Sequence, residues 1–348
     1  MKKSLTYDDI QLVPRYSQIP SRNDIRLHTL LSKRYGLLNP IVASPMDTVC
    51  ELEMAFKMYL LGGVGCIHRF NSIEEQSNIV KELYHRIFSP DLPLLEWAEI
   101  GCGIPPIMAA IGVSESDKER AKSLVEAGCN VLLIDVAHGH HKNVKKMIKW
   151  CKENLDEKVD IIAGNIATKE AALDLESWGV DGLRVGIGGG SLCTTRLKTG
   201  FGIPNVSCLE DVISVAKTPV MADGGIRSSG DISKALALGA SQVMLGSLIA
   251  GTDEAPGQII ETTKGLYKRY RGSASLETKV THGQQTRNVE GESTTIPYKG
   301  GVKFIVNGLI DGVKSALSYG GAQDLEHYNP SYVVVTNSGL NEAKPHLL

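Results

Sequence analysis

The chain has 348 residues, 42% hydrophobic and 22% charged, with a formal net charge of −2. That length buries a sizeable core without disulfides or metals, and the near-zero charge excludes a general binder of nucleic acid or anionic membrane, both of which need a positive surplus. The start MKKSLTYDDI has no apolar run behind its lysines, no stretch of about 20 apolar residues occurs, and seven scattered cysteines without a CxxC spacing fit reduced thiols, so a cytoplasmic chain is expected.

In chain order, eight short runs rich in Val and Ile recur, at 40–44, 63–67, 107–112, 131–136, 160–163, 182–186, 219–222 and 242–245. Each is too short for a helix and nearly continuously apolar, as parallel strands buried on both faces are. Helical patterns lie between them. The stretch 114–127 opens on Ser114 with an acidic first turn and ends at Gly128. The stretches 168–178 and 231–238 repeat the format and close at Gly179 and Gly239. Eight βα units make either a closed (β/α)8 barrel or a large doubly wound sheet. The doubly wound reading wants GxGxxG after its first strand. Here ASPMDTV follows, and the glycine-rich loops come after runs six, seven and eight. A single (β/α)8 TIM barrel over 1–348 is therefore expected, with a glycine-rich loop at 186–200. The periodicity stops after about Gly265, and residues 271–301 are polar without an apolar period. Helical spacing resumes at Val302, Ile305, Leu309, Val313 and Leu317. The excursion reads as a flap inserted between strand eight and its helix, since long loops of this kind are usually lids or disordered.

Active residues of such a barrel sit at the C-terminal strand ends. Those ends carry Asp47, His68, Asp135 with His138, Asn165, the segment 186–193, Asp223 to Gly225, and Gly246 with Ser247. Asp and Asn there also cap helices, and capping explains Asp47 or Asn165 taken singly about as well. The segment GIGGGSLCTTRLKTG at 186–200 is the most informative. Its five glycines expose backbone amides and carbonyls. A free cysteine is ordinarily a buried small hydrophobe. Cys193, between Ser191 and Thr194–Thr195 and near Arg196, is instead a candidate nucleophile, because amide donors and positive charge favour a thiolate. ADGGIRSSGD at 222–231 and MLGSLIAG at 244–251 form loops after strands seven and eight, where such barrels hold phosphate through amides without net positive charge. Asp223 would repel a phosphate and is better suited to sugar hydroxyls.

Together these motifs resemble the IMP dehydrogenase/GMP reductase family. The likeness also takes in LTYDDIQLVP at 5–14, SPMDTV at 44–49, GGVGCIHRF at 62–70, DVAHGH at 135–140 and AGNIAT at 163–168. It implies a barrel, usually in a tetramer, whose loop cysteine attacks C2 of a purine nucleotide while a nicotinamide cofactor exchanges hydride there. Dehydrogenases of the family usually carry inserted CBS modules after the second strand, and there is no room for them here. They also use an Arg-Tyr pair in a long flap to activate water, and no such dipeptide lies between 272 and 300. KTGFG, YRGSAS, NVEG and SYVVVTNS are similar to bacterial GMP reductases.

The resemblance thus implies NADPH-dependent reduction of GMP to IMP and ammonia. Cys193 would add to C2, and Thr195 and Glu290 would transfer protons to the departing ammonia. Ser44, Asp223, Gly224, Gly225, Gly246, Ser247, Tyr270, Gly272, Ser273, Arg287 and Gly291 would hold the nucleotide. Asp135, His138, Gly139 and Asn165 would receive the cofactor, while Ser315 and Tyr319 would reach a neighbouring subunit's cofactor in a homotetramer. Carbonyls of Gly188, Gly190 and Cys193 would ligate a monovalent cation, K⁺. Gly189, Ser273, Asn205 and LIAGTDEAPG depart from the usual pattern. Two alternatives stay open: a dehydrogenase without CBS modules that oxidises IMP with NAD⁺, and a non-catalytic purine-nucleotide sensor.

Overall fold

The structure, a computed structural model, describes residues 3–90, 97, 104–283, 286 and 289–342. Eight parallel strands close a barrel: β1 (Ile41–Ala43), β2 (Val64–Ile67), β3 (Met108–Ile111), β4 (Val131–Asp135), β5 (Asp160–Ile166), β6 (Gly182–Val185), β7 (Val220–Asp223) and β8 (Gln242–Leu245). The ring shuts where β8 pairs with β1, Met244 opposite Val42. All eight match the expected runs to within a few residues. Their side chains are buried almost without exception because barrel interior and helix shell cover both faces.

Helices α1 (Leu52–Leu60), α2 (Ile73–Ile87), α3 (Glu115–Glu126), α4 (Lys142–Asn154) and α5 (Lys169–Trp178) follow the first five strands. Ser72, His141 and Thr168 cap α2, α4 and α5 by accepting from amides of the first turn. Gly179 ends α5 at φ 106, in the left-handed region that glycine favours. After β6 come the short α6 (Thr195–Thr199) and α7 (Asn205–Ile213), and after β7 comes α8 (Ser229–Ala237). The eighth strand is separated from its helix, as expected, but the intervening segment is more ordered than its polarity suggests. Strands β9 (Ile260–Thr262), β10 (Gly265–Arg271) and β11 (Ser293–Pro297) form an antiparallel sheet, and α9 (Leu276–Thr281) sits between the last two. The excursion therefore begins near 260 rather than 271. The closing helix α10 (Val302–Gly320) buries Val302, Val306, Leu309, Val313 and Leu317 and packs against α8.

A hairpin of Thr29–Leu30 with Gly36–Leu37 lies before β1 and buries Leu31 and Leu37. Its Ser32 Oγ and Arg34 Nε donate to the buried Asp160 carboxylate, at the start of β5. Ile10–Leu12 pairs with Tyr332–Val334 and ties the two ends of the chain together. Among the described residues no helix is long and apolar enough to cross a membrane.

Candidate active site

The C-terminal strand ends open onto one cleft of about 570 Å³. The 186–193 loop, Asp223 to Arg227, Gly246, Ser247, Tyr270, the 272–274 turn, Glu290 and Gly291 line it. Gly186 has φ 137, and a Cβ there would sit inside contact distance of the Asp223 carbonyl oxygen. Only glycine lets the chain leave β6 this close to β7.

Cys193 is half-buried. Its thiol donates to Thr195 Oγ1 at 3.1 Å, and Thr195 Oγ1 donates to Glu290 Oε2 at 2.8 Å. The backbone holds the same arrangement. Thr194 N donates to Glu290 O at 2.9 Å, and Cys193 bridges Gly291. A thiol, a hydroxyl and a carboxylate brought together from loops 95 residues apart form a directed proton path from sulfur to carboxylate. The other cysteines contrast with this. Cys50, Cys66, Cys129, Cys151 and Cys208 are buried, and burial pushes their thiols up, those of Cys129, Cys151 and Cys208 to about 12. Cys102 lies outside the described residues.

Arg184 is a residue the strand-end reading missed. It lies inside β6, is 8% exposed, and spans two strand-end carboxylates. Its Nη1 donates to Asp135 Oδ1 at 2.5 Å, and its Nε to Asp223 Oδ2 at 3.1 Å. Burial works against its charge, but Asp223 and Asp135 outweigh burial and hold the guanidinium's pKa above its ordinary value. Asn165 Nδ2 donates to Asp223 Oδ2 at 2.7 Å and to Gly186 O at 2.6 Å, so it supports the floor of the site instead of capping α5. Asp47 is not a cap either. Its carboxylate accepts from Arg271 and from His282. His68 is buried, bonded to Glu51 and accepting from Phe70 N.

Tyr270 is buried, and its hydroxyl lies 3.0 Å from Ser191 Oγ. Burial raises its phenol pKa. A Cβ on Gly246 would touch that hydroxyl. Lys299 Nζ donates to the carbonyls of Ser247 and Leu248. Asn205 Nδ2 donates to Gly224 O, so the 224–225 turn is braced from α7.

The cleft thus gathers Cys193, Thr195, Glu290, Ser44, Asp135, Asn165, Gly188, Gly190, Asp223, Gly224, Gly225, Gly246, Ser247, Tyr270, Gly272, Ser273 and Gly291. His138 and Gly139 do not line it. His138 is exposed, and Gly139 is packed against β5, its amide on Asn165 O at 2.7 Å. Ser315 and Tyr319 lie on α10, Ser315 bonded to Asp311 O and Tyr319 64% exposed. Arg287 falls outside the described residues.

The profile of the IMP dehydrogenase / GMP reductase domain matches residues 4–346. The chain belongs to the IMP dehydrogenase/GMP reductase family. This is a family of oxidoreductases of purine metabolism that use nicotinamide cofactors. The chain is 39% identical to an inosine-5'-monophosphate dehydrogenase of Cryptosporidium parvum, over 99% of this chain and 95% of that protein. It is 32% identical to a GMP reductase of Leishmania major, over 99% and 97%. A solved GMP reductase of Trypanosoma brucei, in complex with guanosine 5'-monophosphate, superposes with a TM-score of 0.90 at 31% identity, covering 100% of this chain and 98% of that one. Length does not sort the two branches of the family. The alignment with the dehydrogenase spans 388 positions and that with the Leishmania reductase 478, so the extra sequence expected of dehydrogenases is not theirs alone.

Proposed function

We propose that this chain is a GMP reductase, converting GMP to IMP and ammonia with NADPH. The observation that carries the reading is the Cys193–Thr195–Glu290 path. The Cys193 thiol gives its proton through Thr195 to Glu290, and the sulfur adds to C2 of the purine. Glu290 returns a proton through Thr195 to the C2 amino group, which leaves as ammonia and leaves a thioimidate on sulfur. A bound reduced nicotinamide would supply hydride at C2, and IMP departs as the carbon–sulfur bond breaks. The same three groups answer a reductase's need, which is to protonate a leaving amine. A dehydrogenase must instead activate water, and 272–300 lacks the Arg-Tyr pair that the resemblance assigns to that task.

Amides of Gly224, Gly225, Gly246 and Ser247 would hold the nucleotide phosphate beneath Tyr270, and Asp223 the ribose. NADPH would lie beside them. A second basin, lined by Ser72, Ser114, Arg120 and His282, shares Arg69 and Phe70 with the cleft. Arg69 Nε and Asn71 Oδ1 are buried in it without hydrogen-bond partners. Asp135 borders the same junction. Carbonyls of Gly188, Gly190 and Cys193 would ligate K⁺, a reading supported by Thr194 Oγ1, which is buried beside Cys193 without a hydrogen-bond partner. A homotetramer would place Ser315 and Tyr319 against a neighbouring subunit.

One finding favours a second reading, oxidation of IMP with NAD⁺: the 39% identity to the Cryptosporidium dehydrogenase. The deciding experiment gives the protein GMP with NADPH, and separately IMP with NAD⁺, and follows the absorbance of the reduced nicotinamide. Consumption with the first pair, abolished in Cys193→Ala while GMP still binds, is expected. Turnover of the second pair alone overturns the reductase reading, and binding without turnover of either pair makes the chain a sensor.

A further inference from the structure

Glu290 works only if its loop is held against Cys193, and the structure points to what holds it. The Asp47 side chain, just after β1, is 3% exposed. It accepts from Arg271 Nε at 3.0 Å and from His282 Nε2 at 2.7 Å, and Arg271 Nη2 lies 2.8 Å away. Every hydrogen-bond partner of this carboxylate among the described residues is on the excursion after β8. A buried carboxylate is costly without partners. Lifting the excursion away would strip Asp47 of all of them, so the docked arrangement is strongly preferred.

The clamp reaches Glu290 through few steps. Arg271 ends β10, its amide donates to Thr48 Oγ1 at 3.2 Å, and its Nη1 donates to Thr281 Oγ1 at 3.2 Å. It therefore ties the β1 exit both to the strand entering the 272–275 turn and to the far end of α9. Glu290 N donates to Ala274 O at 3.1 Å, and Ser275 bridges Gly291. The segment that carries Glu290 is thus hung from the turn that Arg271 anchors. Asp47 itself does not line the cleft.

We infer that Asp47 is a positioning residue: with Arg271 and His282 it clamps the excursion to the barrel and so sets Glu290 against Thr195. This rests on the acid–base role proposed above for Glu290. In the full-length protein, Asp47→Asn is expected to lower kcat about 10²-fold, the loss that follows a displacement of about 1 Å at a reacting group. KM for GMP should change much less than kcat, because Asp223, Gly224, Gly225, Gly246 and Ser247, proposed to hold ribose and phosphate, lie off the excursion and only Tyr270 of that set is on it. Amide exchange at 272–281 and 289–292 should rise, while exchange in β4 to β7 should not. Arg271→Gln, which breaks the clamp from the other side, should give the same signature. In a Glu290→Gln background, Asp47→Asn should cost almost nothing further in kcat, whereas a residue that merely supports the fold costs the same in both backgrounds. Equal losses in the two backgrounds, or unchanged exchange at 272–281, overturn the proposal. If Glu290→Gln alone turns over GMP at full rate, the acid–base reading fails, and the exchange result then decides the clamp by itself.

Discussion

Arg184, buried in β6, ties the ends of β4 and β7 together, so Arg184→Met is the sharpest test of what holds the site. Methionine keeps most of the length and apolar stem and removes the charge. Each guanidinium–carboxylate pair, at a charge separation of about 4 Å and an effective dielectric of about 20, is worth about 4 kcal/mol. The two pairs, to Asp135 and Asp223, are offset by the several kcal/mol needed to take the guanidinium out of water. Removing Arg184 also strands two carboxylates that are 14% and 20% exposed. Asn165 still donates to Asp223, and Arg69 stays 3.7 Å from Asp135, so neither is wholly abandoned. Breaking a buried pair typically costs 3–5 kcal/mol, and the residual support places this loss near the lower end, about 3 kcal/mol. Equilibrium unfolding in urea, followed by tryptophan fluorescence, measures it. Adding Asp135→Asn should recover part of the loss, because it removes one stranded charge. A loss below about 1 kcal/mol, the range of an exposed ion pair, refutes the argument.

Further outcomes follow from burial and backbone geometry. Among the described cysteines, limiting iodoacetamide at neutral pH should label Cys193 alone, since the other five are buried and burial pushes their thiols up; peptide mass analysis checks this, and bound GMP should protect. Gly186→Ala should cost about 3 kcal/mol or more by forcing a Cβ against the Asp223 carbonyl, whereas Gly200→Ala, at φ 76 with open space around it, should cost only about 1 kcal/mol. The hydrogen bond from Arg269 holds the Glu277 carboxyl down to about 2, against an ordinary 4.5. A lowered folded-state value means its stabilisation is fully present above about pH 4.5 and is lost as pH falls toward 2. Glu277→Gln should therefore flatten the pH dependence of stability in that window and leave its slope above pH 4.5 unchanged, which paired acid titrations of the two proteins measure.

The barrel was legible because strands covered on both faces leave an unbroken apolar run, and because serine, threonine and glycine mark helix ends through local chemistry alone. Where that chemistry is doubled, the reading slips. Ser228 starts α8 and accepts from Asp231 N, but the Gly230 between them disguises the cap and moves the expected start to Asp231. The sheet after β8 escaped notice for a different reason. Most of β9 and β11 is exposed, so no hydrophobic alternation records their pairing. Cys193, Thr195 and Glu290 could be named from motif resemblance, but the hydrogen bonds that join them depend on tertiary closure. Arg184 did leave a signal: a charged residue inside GLRV, an otherwise apolar barrel strand, has to meet opposite charge at the barrel's end. Asp47 left none that pointed to its partners, which lie 224 and 235 residues away.

The net charge takes its meaning from where the charges pair. Asp135 and Asp223 end β4 and β7 in the cleft and Asp47 lies beyond β1 outside its lining, and the arginines beside them are already engaged: Arg271 with Asp47, Arg184 with Asp135 and Asp223. Of the other arginines lining the cleft, Arg69 lies 3.7 Å from Asp135, and Arg227 is paired with Asp8 and Asp231. On the function proposed above, a phosphate would be held by amides of the glycine-rich turns, where Gly224 and Gly225 both adopt left-handed conformations. The arginines Arg184 and Arg271 instead neutralise carboxylates at the strand ends. On that reading, anion binding by backbone dipoles and charge pairing by side chains would be separate, and a protein of net charge −2 would need no basic surface to admit a nucleotide.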